Sequence, residues 1–374
     1  MKIMFVLPAS AVGGAEIRFR SIITSLRMGQ VSLITQACVA DLFSEVHVPI
    51  RLFEDYGCTE SMPMNFRNMV RYSAAIAQFA DEQNVDVIFG VMHVGTLYAA
   101  FARDRYRLRA KVVGSLLGNV SAYFAARGKG PSLWERMVVK YMLTRSDRIV
   151  VSTRGVRDDL VKAHGARATK VEVINNGIDI DRVRRLACMP VTELEPFSGK
   201  TILTACRMNP QKDLYVLVDA FAKVLAKCEA RLVLVGGGEL LPALVQYAKD
   251  VGVAEHVVFC GYQDNPYKYM READVFVLSS KFEGFGNVIV EAMALGVPVV
   301  ASDCPSGPSE IIQHGINGYL TTSGDVDALC AAVLHLLRER EYSAKLAAAG
   351  RRRAEDFRLE HMVCAYEKVL SAVF

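Results

Sequence analysis

Short apolar runs alternate along the chain with longer segments in which apolar residues recur every three or four positions. The runs are typical of strands buried in a parallel sheet, and the longer segments are typical of amphipathic crossover helices. This alternation predicts an α/β protein. The predicted strands of the first half are Lys2–Pro8, Val31–Thr35, Asp86–Val91, Lys111–Leu116 and Arg148–Ser152. Those of the second half are Thr201–Cys206, Leu232–Gly236, Val257–Gly261, Val275–Ser279 and Val297–Ser302.

A break between the two series of strands predicts two doubly wound domains. Turn-forming residues are dense in Val173–Asp179, and Pro190 and Pro196 follow before the strand pattern resumes. A length of 374 residues also exceeds what one hydrophobic core normally organises. We therefore expect a first domain over residues 1–180 and a second over residues 181–358. Residues 359–374 show a helical pattern that could cross back onto the first domain.

Composition narrows the class of protein. Hydrophobic residues make up 52% of the chain and charged residues 22%, which indicates a folded globular protein. The nine cysteines are scattered and never spaced as C-x-x-C, so we expect mostly buried, reduced thiols and a cytoplasmic location. The opening run is broken by Pro8 and is interpreted as a strand rather than a signal peptide. No apolar stretch approaches the roughly 20 residues that span a bilayer.

Charge is unevenly distributed between the two halves. Residues 1–180 carry 23 Lys and Arg against 16 Asp and Glu, and the remaining residues carry 21 against 24. A basic half can attract anionic lipid, nucleic acid or a phosphorylated acceptor. Basic and large apolar residues interleave in Met62–Phe79 and in Pro131–Arg148, and Arg103–Lys111 adds a basic run. These segments, which include Trp134, Met137, Tyr141 and Arg145, predict either helices packed on the sheet or a peripheral surface for an anionic membrane.

The stretch Ser279–Asp303 carries the strongest candidate chemistry. It predicts a strand, a glycine loop, a helix from Asn287 and a further strand. Gly284 and Gly286 let the backbone approach a ligand closely, and the amides that open a helix suit a phosphate. Glu283 and Glu291 flank that position, where their carboxylates can accept hydrogen bonds from sugar hydroxyls.

The spacing Glu283-x7-Glu291 within EGFGNVIVEAMALGVPVVASD resembles the signature of glycosyltransferase family 4. The resemblance covers most of the chain and extends to GGAE at residues 13–16, NGID at 176–179, CRMNPQKD at 206–213, GGGE at 236–239 and CPSGPSE at 304–310. It implies a GT-B fold, in which two Rossmann-like domains face a cleft. It also implies transfer, with retention, of a hexose or N-acetylhexosamine from a nucleotide sugar, a UDP-sugar before a GDP-sugar. The implied acceptor is a saccharide or a lipid-linked glycan.

The resemblance also implies roles for residues of the donor side. Arg207 and Lys212 would clamp the diphosphate, because charge develops there when the sugar–phosphate bond breaks. Glu291 would hold the ribose hydroxyls, and Glu283 would orient the transferred sugar. The implied catalytic residues are Glu283, Arg207, Lys212 and His93. The implied donor-binding residues are Gly14, Arg207, Lys212, Tyr262, Glu283, Phe285, Gly286, Asn287 and Glu291.

The acceptor side is less well defined by the motifs. The implied acceptor residues are Gly13, Gly14, Glu16 and Asn119, although Glu16 can equally complement a helix N-terminus. Many family members carry a histidine after the fifth strand of the first domain, where this chain has Leu116–Asn119. His93 and Asn119 are alternative substitutes for it. The first of these lies at the end of a predicted strand, where side chains reach ligands in such sheets.

No cofactor and no metal are expected. Asp179 and Asp181 form a D-x-D sequence, which binds metal in other glycosyltransferases, but they lie among turn formers and are interpreted as turn chemistry. Three rival functions are weighed against transfer. They are a nucleotide-sugar epimerase or hydrolase on the same scaffold, a dinucleotide-binding oxidoreductase suggested by VLVGGGELL, and a basic nucleic-acid-binding protein. No nucleic-acid partner is expected, because the positive charge lacks a recognised binding module.

Overall fold

The computed structural model describes residues 1–9, 13–58, 66–128 and 130–374. Met62–Asn65, at the start of one of the two basic and apolar segments, lie outside the described residues. The chain divides into two compact units, of which unit 1 comprises Met1–Gly177 with Leu359–Phe374 and unit 2 comprises Ile178–Arg358.

Unit 1 is built on a parallel sheet of seven strands, in the order β3-β2-β1-β4-β5-β6-β7. The strands are β1 Lys2–Leu7, β2 Gln30–Thr35, β3 Ile50–Leu52, β4 Val87–Gly90, β5 Lys111–Leu116, β6 Arg148–Val151 and β7 Val171–Val173. The helices are α1 Gly14–Ser25, α2 Ala37–Ala40, α3 Phe66–Gln83, α4 Met92–Tyr106, α5 Val120–Ala126, α6 Leu133–Arg145 and α7 Arg154–Lys162. The strand order reverses direction between β1 and β4, which is where open sheets of this kind bind their ligands.

Unit 2 repeats the plan with six parallel strands, in the order β10-β9-β8-β11-β12-β13. The strands are β8 Lys200–Ala205, β9 Ala230–Val235, β10 Val257–Gly261, β11 Val275–Leu278, β12 Val299–Asp303 and β13 Tyr319–Thr322. The helices are α8 Ile180–Ala187, α9 Leu214–Leu225, α10 Leu241–Asp250, α11 Tyr267–Arg271, α12 Asn287–Ala294, α13 Pro308–Ile311, α14 Val326–Arg338 and α15 Arg340–Ala354. Here the order reverses between β8 and β11.

The central strands are buried on both faces, as their continuous apolar runs require. Each sheet separates two apolar clusters, so each unit has its own core. The two α/β sheets confirm the fold class predicted from the alternation of apolar runs. Three short strands were not predicted, namely β3, β7 and β13, because three or four residues are too few to show a periodic pattern.

The last helix, α16 Leu359–Val373, belongs to unit 1. Met362, Tyr366 and Leu370 on its inner face are buried in the same cluster as Phe19 and Phe89. The hydroxyl of Tyr366 accepts a 2.7 Å hydrogen bond from Nη2 of Arg18, which is itself buried on α1. This helix therefore completes the core of unit 1 from a distant part of the sequence.

Two other expectations differ from the structure. Asp179 and Asp181 were interpreted as turn chemistry, but the residues after Asp179 form α8, and the side chain of Asp179 caps that helix by accepting from the Arg182 amide at 2.9 Å. The cysteines are all free, yet Cys38, Cys188 and Cys364 are exposed. Sequence position within an apolar run therefore did not indicate burial at these three sites.

Candidate functional site

The best-defined cluster of polar groups in unit 2 lies where the strand order reverses. Arg207 and Lys212 follow β8, and Glu283 follows β11, its neighbour across the reversal. The ammonium of Lys212 lies 2.5 Å from Oε1 of Glu283, and both side chains are largely shielded from solvent. Residues 71 positions apart in sequence are thus paired at the edge of the sheet where ligands bind.

This ion pair is held by the backbone around it. The hydroxyl of Ser279 donates to the carbonyl of Lys212 at 2.8 Å, and the amide of Lys281 donates to the carbonyl of Gln211 at 2.8 Å. Burial acts most strongly on the pKa of Lys212 and lowers it, but the charge and hydrogen bond of Glu283, together with the neighbouring Cys206 and Cys304, raise that pKa above its usual value. Lys212 therefore stays cationic at neutral pH. Burial raises the pKa of two neighbouring thiols, Cys206 to about 11 and Cys304 to about 12.

Arg207 lies in the same loop but faces solvent. Its guanidinium has no hydrogen-bond partner among the residues that the structure describes. The loop is fixed by the glycines after β9, because the amide of Met208 donates to the carbonyl of Gly237 at 2.8 Å. A Cβ at Gly236 would lie 2.0 Å from the carbonyl oxygen of Cys206. The GGG sequence thus supports the loop that carries Arg207.

The glycine loop after β11 ends in a helix N-terminus, as the sequence predicted. Gly286 precedes α12 with φ of 98°, a left-handed conformation that favours glycine, and Asn287 begins the helix. Phe285 is buried and its ring packs edge-on against Phe357 at 5.3 Å. A Cβ at Gly307 would lie 2.5 Å from the carbonyl oxygen of Phe285, so the loop after β12 closes against this one.

Glu291 lies one turn into α12 and is half-buried. Burial raises the pKa of this carboxyl to about 7, although a hydrogen bond from Tyr267 and the charge of Arg182 act in the opposite direction. The charge of Glu291, followed by burial, raises the pKa of Tyr267 in turn. Tyr267 was not singled out by the sequence, since its helix is only five residues long and carries no motif. Tyr262, predicted near the base, is 73% exposed just after β10.

The residues predicted for the acceptor lie at the carboxyl ends of three adjacent strands of unit 1, β1, β4 and β5. Gly13 precedes α1 in an extended conformation, and Glu16 in the first turn of that helix is buried. His93 is exposed in the first turn of α4. Asn119 caps α5, because its Oδ1 accepts from the amide of Ala122 at 2.8 Å. Asn119 therefore has a structural use whatever else it contacts.

The backbone beside His93 is strained. Met92 has φ of 58°, which is uncommon for a residue with a side chain. Its amide donates to the hydroxyl of Ser115 at 3.1 Å, and its carbonyl accepts from Thr96 at 2.7 Å. Strain of this kind persists only where the surroundings fix it, and it is concentrated at functional sites. The strain at Met92 therefore indicates the carboxyl end of β4, where the strand order reverses, as a candidate substrate-binding region of unit 1.

The two aspartates of the D-x-D sequence have other partners. Asp179 caps α8, and Asp181 forms an ion pair with Arg358 at 3.0 Å. Among the described residues, no group of three or more His, Cys, Asp or Glu side chains is arranged to hold a metal ion.

The basic and apolar segments divide into buried and exposed parts. On α6, Leu133, Trp134 and Met137 are exposed, with Leu133 at 76%, while Val138 and Met142 on the other face are buried. Tyr141 is half-buried and bonds to Asp104, and Arg145 pairs with the same carboxylate although its side chain stays 53% exposed. Across the described ranges, no helix is both long and apolar enough to cross a membrane.

Comparisons with known proteins agree with this geometry. Residues 12–182 match the model described as Glycosyltransferase Family 4, and residues 199–339 match that of Glycosyl transferases group 1. The N-acetyl-alpha-D-glucosaminyl L-malate synthase of Bacillus anthracis is 28% identical over 307 residues, which are 79% of this chain and 77% of that protein. The lipopolysaccharide 1,6-galactosyltransferase of Escherichia coli K12 is 24% identical over 334 residues, 87% and 86% of the two chains. A crystal structure of Anabaena HepE in complex with UDP and glucose superposes with a TM-score of 0.83 at 24% identity and covers 99% of both chains.

The fold and the matched sequences define a glycosyltransferase of the GT-B class. Two parallel α/β units, each with its strand order reversed near the middle, are the architecture of that class. The chain belongs to glycosyltransferase family 4.

Proposed function

We propose that the protein transfers a hexose or N-acetylhexosamine from a nucleotide sugar to a saccharide or lipid-linked acceptor, with retention of configuration. The observation that carries the proposal is the pairing of Lys212 with Glu283 across the strand reversal of unit 2, beside the glycine loop. One largely shielded cation and one buried carboxylate supply what a sugar diphosphate requires. The first binds the phosphates, and the second binds the sugar hydroxyls.

The diphosphate is assigned to Arg207, Lys212 and the start of α12. Breaking the bond between the sugar and the phosphate leaves an additional negative charge on the diphosphate, and fixed positive groups stabilise that charge. Arg207 is exposed and unpaired among the described residues, so it is available to a ligand. The amides of Phe285, Gly286 and Asn287 open α12 and add a partial positive charge.

The two glutamates are assigned to different parts of the donor. Glu291 lies beside Tyr267 and would accept hydrogen bonds from the ribose hydroxyls, with Tyr262 near the base. Glu283 would accept from hydroxyls of the transferred sugar. A UDP-sugar is the favoured donor and a GDP-sugar the next. The solved structure of HepE contains UDP and glucose, which supports this order.

The proposed reaction needs no protein base. The acceptor hydroxyl oxygen forms a bond to the anomeric carbon on the face from which the diphosphate leaves. The electron pair of the broken bond goes to the leaving phosphate oxygen, and that oxygen takes the proton of the acceptor hydroxyl. The acceptor is assigned to unit 1, with Gly13, Gly14 and Glu16 after β1 and with His93 or Asn119 near the reacting sugar.

The exposed surface of unit 1 supports a lipid-linked acceptor. Leu133, Trp134 and Met137 form an apolar stripe on α6, and the exposed Arg136 and Lys140 lie on the same helix. Apolar side chains next to basic ones suit an anionic membrane surface. The E. coli relative is named for lipopolysaccharide and the B. anthracis relative for malate, so relatives include one lipid-linked and one small acceptor. We infer a lipid-linked acceptor reached from the cytoplasmic face of the membrane.

The test begins with thermal-shift measurements on UDP-, GDP- and ADP-sugars. A ligand at 100 times its dissociation constant stabilises the protein by about 2.7 kcal/mol. Stabilisation by one nucleotide class, followed by acceptor-dependent release of nucleoside diphosphate and an α-linked product from an α-linked donor, is the expected result. Donor consumed equally fast without acceptor, yielding a free or epimerised sugar, would show a hydrolase or an epimerase instead. A product of inverted configuration would overturn retention alone.

A further inference from the structure

Ser280 lies directly against the carboxylate of Glu283. Its side chain is fully buried, and its hydroxyl donates a 2.7 Å hydrogen bond to Oε1 of Glu283. Lys212 donates to the same oxygen at 2.5 Å. The second carboxylate oxygen, Oε2, accepts no hydrogen bond from the described residues.

Two donors on one oxygen fix the rotation of a carboxylate. With Oε1 held by Ser280 and Lys212, Oε2 is the oxygen left for another donor. Hydrogen bonds to a charged acceptor are stronger than neutral ones, and a buried carboxylate that loses them is costly. The orientation of Glu283 therefore depends on both partners.

The two partners are not equivalent during the proposed reaction. Lys212 is assigned to the diphosphate, and an ammonium drawn toward two phosphates shares its charge with them. Ser280 has no such second task. Its backbone is anchored independently, because the hydroxyl of Ser323 donates to the carbonyl of Ser280 at 3.3 Å.

We propose that Ser280 is a positioning residue that keeps Glu283 oriented toward the transferred sugar while Lys212 engages the diphosphate. This inference rests on the proposed function, and it assigns to Ser280 a role that acts through Glu283. Removal of the hydroxyl should lower turnover and leave binding of the nucleotide part intact.

The kinetic test compares Ser280→Ala with Ser280→Thr, Ser280→Cys and Ser343→Ala. Ser343 is a buried serine of α15 in the same unit, and its substitution controls for the loss of a buried hydroxyl. Ser280→Ala is expected to lower kcat by about ten- to a hundredfold, with affinity for UDP unchanged within about threefold. Ser280→Thr should restore most of the turnover, because it retains the hydroxyl, and Ser280→Cys serves if threonine does not pack. Equal loss of kcat in Ser280→Ala and Ser343→Ala, or wild-type turnover in Ser280→Ala, would overturn the proposal.

A second measurement separates this inference from the proposed function. Crystal structures of the wild type and of Ser280→Ala show directly whether the Glu283 carboxylate rotates when the hydroxyl is removed. Rotation or disorder of Glu283 is expected, and an unmoved carboxylate overturns the positioning role. If the wild type transfers no sugar from any donor, the proposed function fails, whereas the two structures still decide whether Ser280 orients Glu283.

Discussion

Among the single residues of the site, Glu291 has the environment from which the most specific chemical prediction can be made. Burial places the pKa of this carboxyl at about 7, so it is largely protonated below that pH and ionised above it. Ribose hydroxyls donate to the ionised form more strongly than to the neutral form and would lower the pKa when the donor binds. Binding is then coupled to loss of a proton.

The first prediction is that affinity for the nucleotide sugar rises as pH increases through about 7 and then levels off. A nucleotide sugar is the right probe, because its esterified terminal phosphate does not titrate in this range. Calorimetry between about pH 6 and pH 8 provides the measurement. Glu291→Gln should bind weakly with no pH dependence, and an equal pH dependence in that variant would show that another group titrates.

The second prediction concerns the cations of the donor site. Arg207 is exposed, so Arg207→Ala should fold normally while losing a charge-assisted hydrogen bond. Such a bond corresponds to about ten- to two-hundredfold in kcat/KM. We expect a loss of this size in kcat/KM for Arg207→Ala. We also expect wild-type transfer to survive excess EDTA, because Arg207, Lys212 and the start of α12 already stabilise the charge on the diphosphate.

The aspartates of the D-x-D sequence provide the control for metal dependence. Asp179→Asn keeps a good helix cap, and Asp181→Asn breaks an ion pair in which the Asp181 side chain is 67% exposed. Both variants should stay close to wild type in kcat/KM. Transfer that EDTA abolishes and Mg²⁺ or Mn²⁺ restores would contradict the cationic mechanism and make these two residues candidate metal ligands.

At the scale of elements, the loop after β9 shows how glycines can serve a site without touching its ligand. The third prediction is that Gly236→Ala moves the loop that carries Arg207, because the new Cβ would lie 2.0 Å from the carbonyl oxygen of Cys206. We expect weaker donor binding together with a lower melting temperature.

Gly252→Ala is the matched control for that prediction. Gly252 also has positive φ, at 79°, but a Cβ there meets no atom within 4 Å. The control therefore carries the conformational strain alone, about 1–2 kcal/mol, and should bind the donor like wild type. Equal donor affinity in both variants would show that the glycines of this loop are not needed to place Arg207.

A comparison of the predicted with the observed elements explains which features could be predicted from sequence. The bounds of β5 and β10 match their predicted ranges. The continuous apolar run of β5 corresponds to burial on both faces, whereas β10 is a half-buried edge strand. The glycine loop and α12 were predicted because Gly286 and the paired glutamates are close in sequence. The contact of Lys212 with Glu283 joins residues 71 positions apart, and no local pattern encodes it. Ser280 and Tyr267 were missed for the same reason, since their partners become visible only in the folded chain.

Which residues of α6 are exposed and which are buried was harder to predict than the strands. Tyr141 and Arg145 share the basic, apolar pattern of α6 with Trp134 and Met137, but both bond to Asp104, and Tyr141 is half-buried there. Helical periodicity alone does not show which side chains of α6 are held by a partly buried carboxylate on another helix. The sequence left open whether these helices pack on the sheet or face a membrane, and α6 has a buried face suited to the first and an exposed apolar stripe suited to the second.

At the scale of the whole molecule, charge and exposed apolar surface together bear on where the enzyme works. The fourth prediction is that the protein binds vesicles containing anionic phospholipid, and that replacing Leu133, Trp134 and Met137 with serine abolishes binding. Sedimentation with anionic and with neutral vesicles measures it. Salt should weaken the binding, because exposed charges are screened within about 10 Å at 0.1 M ionic strength.

Ile316→Ser is the control for the vesicle experiment. Ile316 is also an exposed apolar residue, at 62%, but it lies in unit 2. Its substitution should leave vesicle binding unchanged. If the triple variant sediments with anionic vesicles as the wild type does, the acceptor is reached by another surface or is not in a membrane.

The return of α16 to unit 1 has a consequence for the order in which the protein matures on the ribosome. Unit 2 is one uninterrupted segment and can fold as soon as it emerges, whereas the core of unit 1 lacks Tyr366, Met362 and Leu370 until the final helix has been made. The first unit to be synthesised is therefore the last to be completed. During that interval Phe19 and Phe89 lack their ring contacts with Tyr366, and a nascent chain stalled before Leu359 should be the form that chaperones retain.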